Sequence, residues 1–240
     1  MAGRIVRRSV VDSTNDEAKA LIAEGAAPWT VVVAEKQVAG KGRFGRSWAS
    51  PRGGLYLSVV LPQELEKLPL LSMAASLAVA EVLDAWGLSV AVKWPNDVQV
   101  GNAKVAGILV EGLVRPGGYW AVVGIGVNSD VPTEKLRGRL DNPVTTLRHE
   151  LGDRVDNEEL RTRLLKAFRA YAERLGDPSS IIEAYQDRCV TLGRNVVIET
   201  LTGVVQGKAV AVRGSGALVV RQSDGKEREV TDGTVRESSI

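Results

Sequence analysis

Cysteine, histidine and long apolar runs are all scarce in this chain of 240 residues. The lone cysteine, Cys189, has no partner for an internal disulfide and fits a reducing compartment. The lone histidine, His149, excludes the usual His/Cys zinc sites, and it excludes Ser-His and Cys-His hydrolase arrangements unless it serves in one itself. The longest apolar stretch, Leu68 to Ala80, is interrupted by Pro69, Ser72 and Ser76 and is too short to span a bilayer. The N-terminus passes from Met1-Ala2-Gly3-Arg4 into Val/Arg alternation, without the apolar centre of a signal peptide. An excess of one charge is also missing. The 31 basic and 29 acidic residues leave +2, which gives no support for nucleic-acid binding through bulk charge. The acidic residues show neither the paired spacing of a glycosidase nor a metal cage.

Apolar material for a core is present: 44% of residues are hydrophobic and 25% charged, which excludes intrinsic disorder. Residues 4 to 12 read as a strand. Ser13-Thr14-Asn15-Asp16-Glu17 opens a helix, with Thr14 as cap and Glu17 completing a capping box. Thr30 to Glu35 and Leu55 to Leu61 read as strands, and Leu70 to Trp86 as a helix apolar on all sides and therefore buried. Ser89 to Trp94 is a strand, and a hairpin turns at Gly101-Asn102. Val105 to Val114 and Tyr119 to Val127 are long strands, and residues 130 to 150 are loop with a short helix. Asp156 and Glu159 suggest a second capping box, before Leu160, Leu164, Phe168, Tyr171 and Leu175 recur at helical spacing. Ser179 to Arg188 is another helix. From about residue 190 short β-runs alternate with Gly-rich turns, the pattern of a small barrel. The boundary falls between Tyr185 and Gly193.

Four stretches carry chemistry. From Gly40 to Arg46 three glycines alternate with Lys41, Arg43 and Arg46, and no acid occurs from Lys41 to Arg52. Glycine lets backbone N–H groups turn inward and arginine offers forked donors, so the segment can wrap a phosphate or carboxylate. A solvated cationic loop is the plainer alternative. The spacing fits neither a P-loop nor a dinucleotide fingerprint. Lys93-Trp94-Pro95-Asn96-Asp97 interrupts a β-run and brings an indole, an amide and a carboxylate out of one strand end, unless it is only a turn. Lys104 opens the next strand, close to that turn across the hairpin. In Gly124-Ile125-Gly126-Val127-Asn128, alternation puts both glycines and the asparagine on one face, for a ligand or for tight packing.

In this order and spacing, Ser13-Thr14-Asn15, the glycine–arginine loop with Trp48, Lys93 to Asp97, Lys104 to Glu111 and Gly124 to Asn128 resemble the biotin–protein ligase family. The resemblance covers roughly residues 9 to 130, and the C-terminal β-module also fits. It implies an α/β (α+β) fold: a mixed sheet with helices on one face, like a class II aminoacyl-tRNA synthetase, over residues 1–188. A small SH3-like β-barrel would follow over 189–240. It implies ATP-dependent formation of biotinyl-5′-AMP and transfer of biotin to a lysine of a biotin carboxyl carrier protein, with Mg²⁺ accompanying ATP and no dedicated metal site. Residue by residue, it assigns biotin to Ser13, Thr14, Asn15, Gln37, Gly40, Lys41, Arg43, Lys104 and Gly107. The adenylate falls to Arg43, Arg46, Trp48, Asn96, Lys104 and Asn128, and Arg43, Lys104 and Asp97 take the catalytic roles. The loop is expected to be mobile without ligand and to close over the adenylate. A cytoplasmic homodimer is expected, with no membrane and no DNA, since the eight residues before Ser9 are too few for a winged helix. A lipoate–protein ligase and a non-catalytic biotin sensor are the rival readings.

Overall fold

The structure is a computed structural model that describes residues 3–136 and 143–237. Seven strands build the larger sheet: β1 (Ile5–Arg8), β2 (Val31–Ala34), β3 (Leu55–Pro62), β4 (Val90–Lys93), β5 (Asp97–Val100), β6 (Ala103–Arg115) and β7 (Gly118–Val127). Their order is β1-β2-β3-β7-β6-β5-β4, with β1 parallel to β2 and the other pairs antiparallel. The α-helices are α1 (Thr14–Ala23), α2 (Leu68–Asp84), α3 (Leu147–Leu151), α4 (Asn157–Glu173) and α5 (Pro178–Arg188). A second sheet follows, from β8 (Asn195–Thr200), β9 (Gly203–Val212), β10 (Leu218–Arg221), β11 (Glu227–Val230) and β12 (Thr234–Glu237), in the antiparallel order β11-β10-β9-β8-β12.

Alternation divides the large sheet into two faces. Leu55, Leu57, Val59 and Leu61 of β3, with Val123, Ile125 and Val127 of β7, point to the side where α2, α4 and α5 lie. The apolar surface of α2 is buried all round, as its composition predicts. Tyr56, Ser58 and Val60, the intervening residues of β3, face the other way. There Val60, Val32 and Val122 meet Ala18 and Ile22 of α1 in a separate small cluster. So α1 covers only part of this second face and leaves the rest of it open.

Several local expectations are corrected. β1 stops at Arg8, and Val11 makes only an isolated bridge to Gln37. The box at α1 does not form: Ser13 is the N-cap residue and its side chain makes no cap bond. Glu17 pairs with Arg8 instead, at 2.7 Å. The Thr14 N–H is met by Gln37 Oε1, at 2.8 Å, so a loop residue distant in sequence caps this helix. At α4, Asp156 does accept from the Glu158 and Glu159 N–H groups. β12, which the sequence reading lacks, pairs with β8. Residues 137–142 of the expected 130–150 loop lie outside the described residues.

Candidate active site

A cleft of about 250 Å³ opens on the free face of the large sheet. Its floor is β6 and β7. Glycines there make room for side chains: a Cβ on Gly124 would stand 2.3 Å from Asn15 Oδ1, and one on Gly126 2.5 Å from Trp48 Nε1. Gly107 on β6 lies beneath both Trp48 and Lys104. The β5–β6 register shifts between Val98 and Gln99, so Gln99 pairs with Lys104 while Asp97 pairs with Gly107. This bulge turns Val105 and Ala106 both into the core and leaves Lys104 and Gly107 together on the cleft side. Lys104 Nζ then lies 2.5 Å from Asp97 Oδ1 and 5.0 Å from the centre of a Trp48 ring. The convergence expected of Lys104 and the Lys-Trp-Pro-Asn-Asp turn is present.

One end of the cleft is neutral and polar. Thr14, Asn15 and Ser58 are buried, and Gln37 reaches Thr14 from the loop. Ser58 Oγ lies 2.6 Å from Asn15 Oδ1 and 2.8 Å from Thr14 Oγ1, and Gln37 Nε2 donates to Ser50 Oγ at 2.7 Å. Ser13 lines this end as well. Ser58 carries no motif and was missed; the only trace of it in the sequence is a hydroxyl on the outward side of an otherwise apolar strand.

The roof is the glycine–arginine loop, folded as a small hairpin. Lys41 and Ser47 form a bridge, Gly42 N–H donates to Arg46 O at 2.7 Å, and Trp48 N–H donates to Gly40 O at 2.8 Å. Phe44, at φ 57°, turns the tip with the Arg43 and Arg46 guanidiniums 5.4 and 5.7 Å from its ring centre. Lys41 is held by Asp16 at 2.6 Å, and that bond raises its pKa above the ordinary lysine value. Burial, followed by repulsion from Arg46, pulls the Arg43 guanidinium below the ordinary arginine value. Its ion-pair partner is Asp232, at the β11–β12 turn of the second sheet. Arg46 donates to Thr234 Oγ1 at 3.3 Å. Gly233, Thr234 and Val235 thus wall the cleft, a contribution that nothing in the sequence signalled.

Trp94 explains why this wall is in place. It is 2% exposed, and its indole N–H donates to Gly216 O at 2.9 Å while its backbone N–H donates to Thr191 Oγ1 at 3.0 Å. The indole therefore pins the second sheet to the cleft's own turn. Asn96 lines the cleft with its amide nitrogen 2.6 Å from Ile108 O. The Tyr185 hydroxyl, raised in pKa mainly by burial, donates to Pro95 O at 3.3 Å. Two residues assigned to the site are not among those lining the cleft. Asn128 is buried with its amide on Thr145 O, at 3.2 Å, and Gly40 lies under the loop against Trp48 O and Ser50 Oγ. Among the described residues, no group of three or more His, Cys, Asp or Glu could hold a metal ion.

Family models match the chain twice. Residues 8–128 match the biotin/lipoate A/B protein ligase family and residues 191–235 the biotin protein ligase C-terminal domain. A biotin--[acetyl-CoA-carboxylase] ligase from Paracoccus denitrificans is 36% identical over 228 residues, covering 90% of this chain and 93% of that protein. The bifunctional ligase/repressor BirA of Bacillus spizizenii is 30% identical over 94% of this chain and 71% of its own length. Among solved structures, a biotin protein ligase from Aquifex aeolicus in complex with biotin and ATP superposes with a TM-score of 0.84 at 29% identity, covering 98% of this chain and 99% of that one.

Proposed function

The chain belongs to the biotin/lipoate A/B protein ligase family, and from that premise we propose that its cleft activates biotin with ATP and hands the acyl group to a lysine of a biotin carboxyl carrier domain. The observation that carries this reading is the order of chemistry along the cleft. A neutral hydrogen-bonding pocket lies at one end, an indole over bare backbone in the middle, and Lys104, Arg43 and Arg46 at the other. A cyclic urea, an aliphatic tail and a carboxylate beside a phosphate follow the same order.

In the first step a biotin carboxylate oxygen attacks the α-phosphorus, the bond to the β-phosphate oxygen breaks, and pyrophosphate leaves. Two anions approach only where cations offset their repulsion, which is the task of Lys104 and Arg43. The Asp232 carboxylate is then exchanged for phosphate at Arg43. The cleft, smaller than the usual ~300–1,000 Å³ of ligand pockets, has to widen for this. In the second step the acceptor amine attacks the acyl carbon, the acyl–phosphate bond breaks, AMP leaves, and a proton passes to a base. Asp97 is the carboxylate at that place. Ser13, Thr14, Asn15 and Gln37 hold the head group, Gly40, Lys41 and Gly107 shape the passage of the tail, and Arg46, Trp48 and Asn96 receive the adenylate. Asn128 supports that side from behind. The Trp48 indole N–H, buried without a partner among the described residues, is a donor in reserve for an incoming acceptor.

Magnesium takes oxygen ligands and keeps phosphates and waters among them. No three His, Cys, Asp or Glu side chains cluster among the described residues, so we assign Mg²⁺ to the ATP that carries it. We assign residues 1–188 to a catalytic domain and 189–240 to an SH3-like barrel. The outer strand β1 offers an edge for a homodimer, whereas the outer side of β4 is taken by the Val92–Cys189 bridge. A cytoplasmic location agrees with one free buried cysteine, and none of the described helices is long and apolar enough to cross a membrane. Biotin-dependent ATP–pyrophosphate exchange tests the reading, with lipoate and octanoate as controls. Exchange with biotin alone, weakened in Arg43→Ala and Lys104→Ala, is expected; exchange with lipoate instead would move the substrate and sink the proposal.

A further inference from the structure

Behind the neutral pocket a chain of hydrogen bonds runs to a carboxylate that the reaction leaves unused. Glu111 of β6 takes Lys19 Nζ on one oxygen, at 2.5 Å, and Asn15 Nδ2 on the other, at 2.7 Å. Leu109 O lies 3.4 Å from the same amide nitrogen. Both neighbours of Nδ2 can only accept, so the Asn15 amide has a single orientation and Oδ1 faces Ser58. Ser58 has one proton and two near oxygens, Asn15 Oδ1 at 2.6 Å and Thr14 Oγ1 at 2.8 Å. A carbonyl oxygen can only accept, so the proton goes to Asn15. Thr14 spends its own proton on Ser58 Oγ, or on Gln37 Oε1 at 3.1 Å, and keeps both of its lone pairs. Gln37 is fixed from the far side, since its amide nitrogen donates to Ser50, whose hydroxyl lies 3.0 Å from Trp48 O.

We propose that Glu111 is a positioning residue that sets the hydrogen-bond direction of this pocket, so that Thr14 meets a ligand N–H as an acceptor. The inference rests on the reading that the pocket takes the biotin urea, whose ring nitrogens are donors. Charge is what makes the direction robust. Both oxygens of a carboxylate accept, so Lys19 and Asn15 are served together. An amide at residue 111 has one acceptor, and the Lys19 ammonium claims it. Its NH₂ group is then left facing the Asn15 NH₂. Asn15 has to turn over, Ser58 can no longer donate to it, and the Ser58 proton swings to Thr14. There it takes one of the two Thr14 lone pairs, so the ligand N–H meets an oxygen that already accepts a hydrogen bond.

Glu111→Gln, Lys19→Met and the double variant test this, each checked for folding by thermal melting. Biotin affinity is read by titration calorimetry and by KM in pyrophosphate exchange. Glu111→Gln is expected to raise the biotin Kd and KM about tenfold, the cost of one lost directed hydrogen bond, while the KM for ATP holds. Lys19→Met alone is expected to leave both KM values near those of the parent protein. In the double variant the cation is gone, the introduced amide is free to turn its oxygen to Asn15, and biotin affinity returns. A merely structural role for Glu111 predicts the reverse, with two lost contacts worse than one. An unchanged biotin KM in Glu111→Gln overturns the inference, and so does a double variant no better than the single. If Glu111→Gln unfolds, the double still decides, since recovery of folding and affinity supports the clash and their absence refutes it. Exchange by the parent protein separates the two levels: without it the underlying reading fails, and with it only the direction is at stake.

Discussion

Gly126 shows how narrowly the cleft depends on single residues. The Trp48 indole lies where a Cβ would be, 2.5 Å from Nε1 and 2.8 Å from Cε2. Gly126→Ala therefore forces the indole off the floor and moves the platform beneath Lys104. A stability loss of ~1–3 kcal/mol is expected from such overpacking, with a larger loss in KM for ATP than in melting temperature. Melting curves set beside exchange kinetics separate the two. Lys104→Ala removes the cation 2.5 Å from Asp97 and, on the proposed reading, one of the two that offset the reacting anions. It should cut exchange by ~10- to 100-fold, since a charge-assisted bond is worth ~1.5–3 kcal/mol. Cys189 illustrates the opposite case. It is buried, and burial raises its thiol above the usual cysteine range, so too little thiolate forms for reaction. Labelling by a thiol reagent at neutral pH should be slow in the folded protein and become fast on unfolding; rapid labelling of the native chain would contradict the packing. At this scale the sequence was informative about motif residues: Lys41, Arg43, Arg46, Lys104, Trp48, Asp97, Gly107, Gly124 and Gly126 line one cleft, whereas Gly40 and Asn128 do not. It was silent about Ser58 and Asp232, whose surroundings come from strands distant in sequence.

Among the elements, the long strands and α2, α4 and α5 were legible because their apolar periodicity coincides with the face they bury. The register of β6 was not. Simple alternation sets Lys104 beside Ala106, whereas the bulge sets it beside Gly107, and a bulge is fixed by the partner strand and not by local composition. The start of α1 was misread for a related reason. A helix end accepts any suitable oxygen, and Gln37 arrives from the loop to supply it. The glycine–arginine hairpin is tied down by its own turn and by Asp232 and Thr234. Trypsin should still cut it between Lys41 and Arg46 in the free protein, and biotin with ATP should slow that cutting. Equal rates with and without ligand would rule out closure over the adenylate.

For the whole molecule, an acid-sensitive tie joins the N-terminal strand to the helical layer. Arg7 of β1 grips Glu158 of α4 with two nitrogens, at 2.7 and 2.9 Å, and Arg161 holds the same carboxylate. The Arg7 hydrogen bond is the main cause that lowers the Glu158 pKa to about 2. A carboxyl whose folded value lies below its unfolded value stabilises the protein fully above about pH 4.5, and the gain fades as pH falls toward 2. The side chain is 57% exposed, so the contribution is below ~1 kcal/mol. Glu158→Gln should melt slightly lower than the parent protein at pH 7, and the difference should shrink to nothing near pH 2. The wall that the second sheet lends to the cleft bears on how the protein comes into being. The cleft draws on Ser13, which precedes the strands of its floor in the chain, and on Val235 of β12, which follows them. A polypeptide emerging from a ribosome folds from its N-terminal side. The large sheet, the loop and Lys104 are therefore all out before that wall is made, while α4, α5 and the second sheet have still to complete the core they share with it. The chamber that encloses a reactive anhydride is closed only once β12 has been made, so its completion waits on translation through Val235.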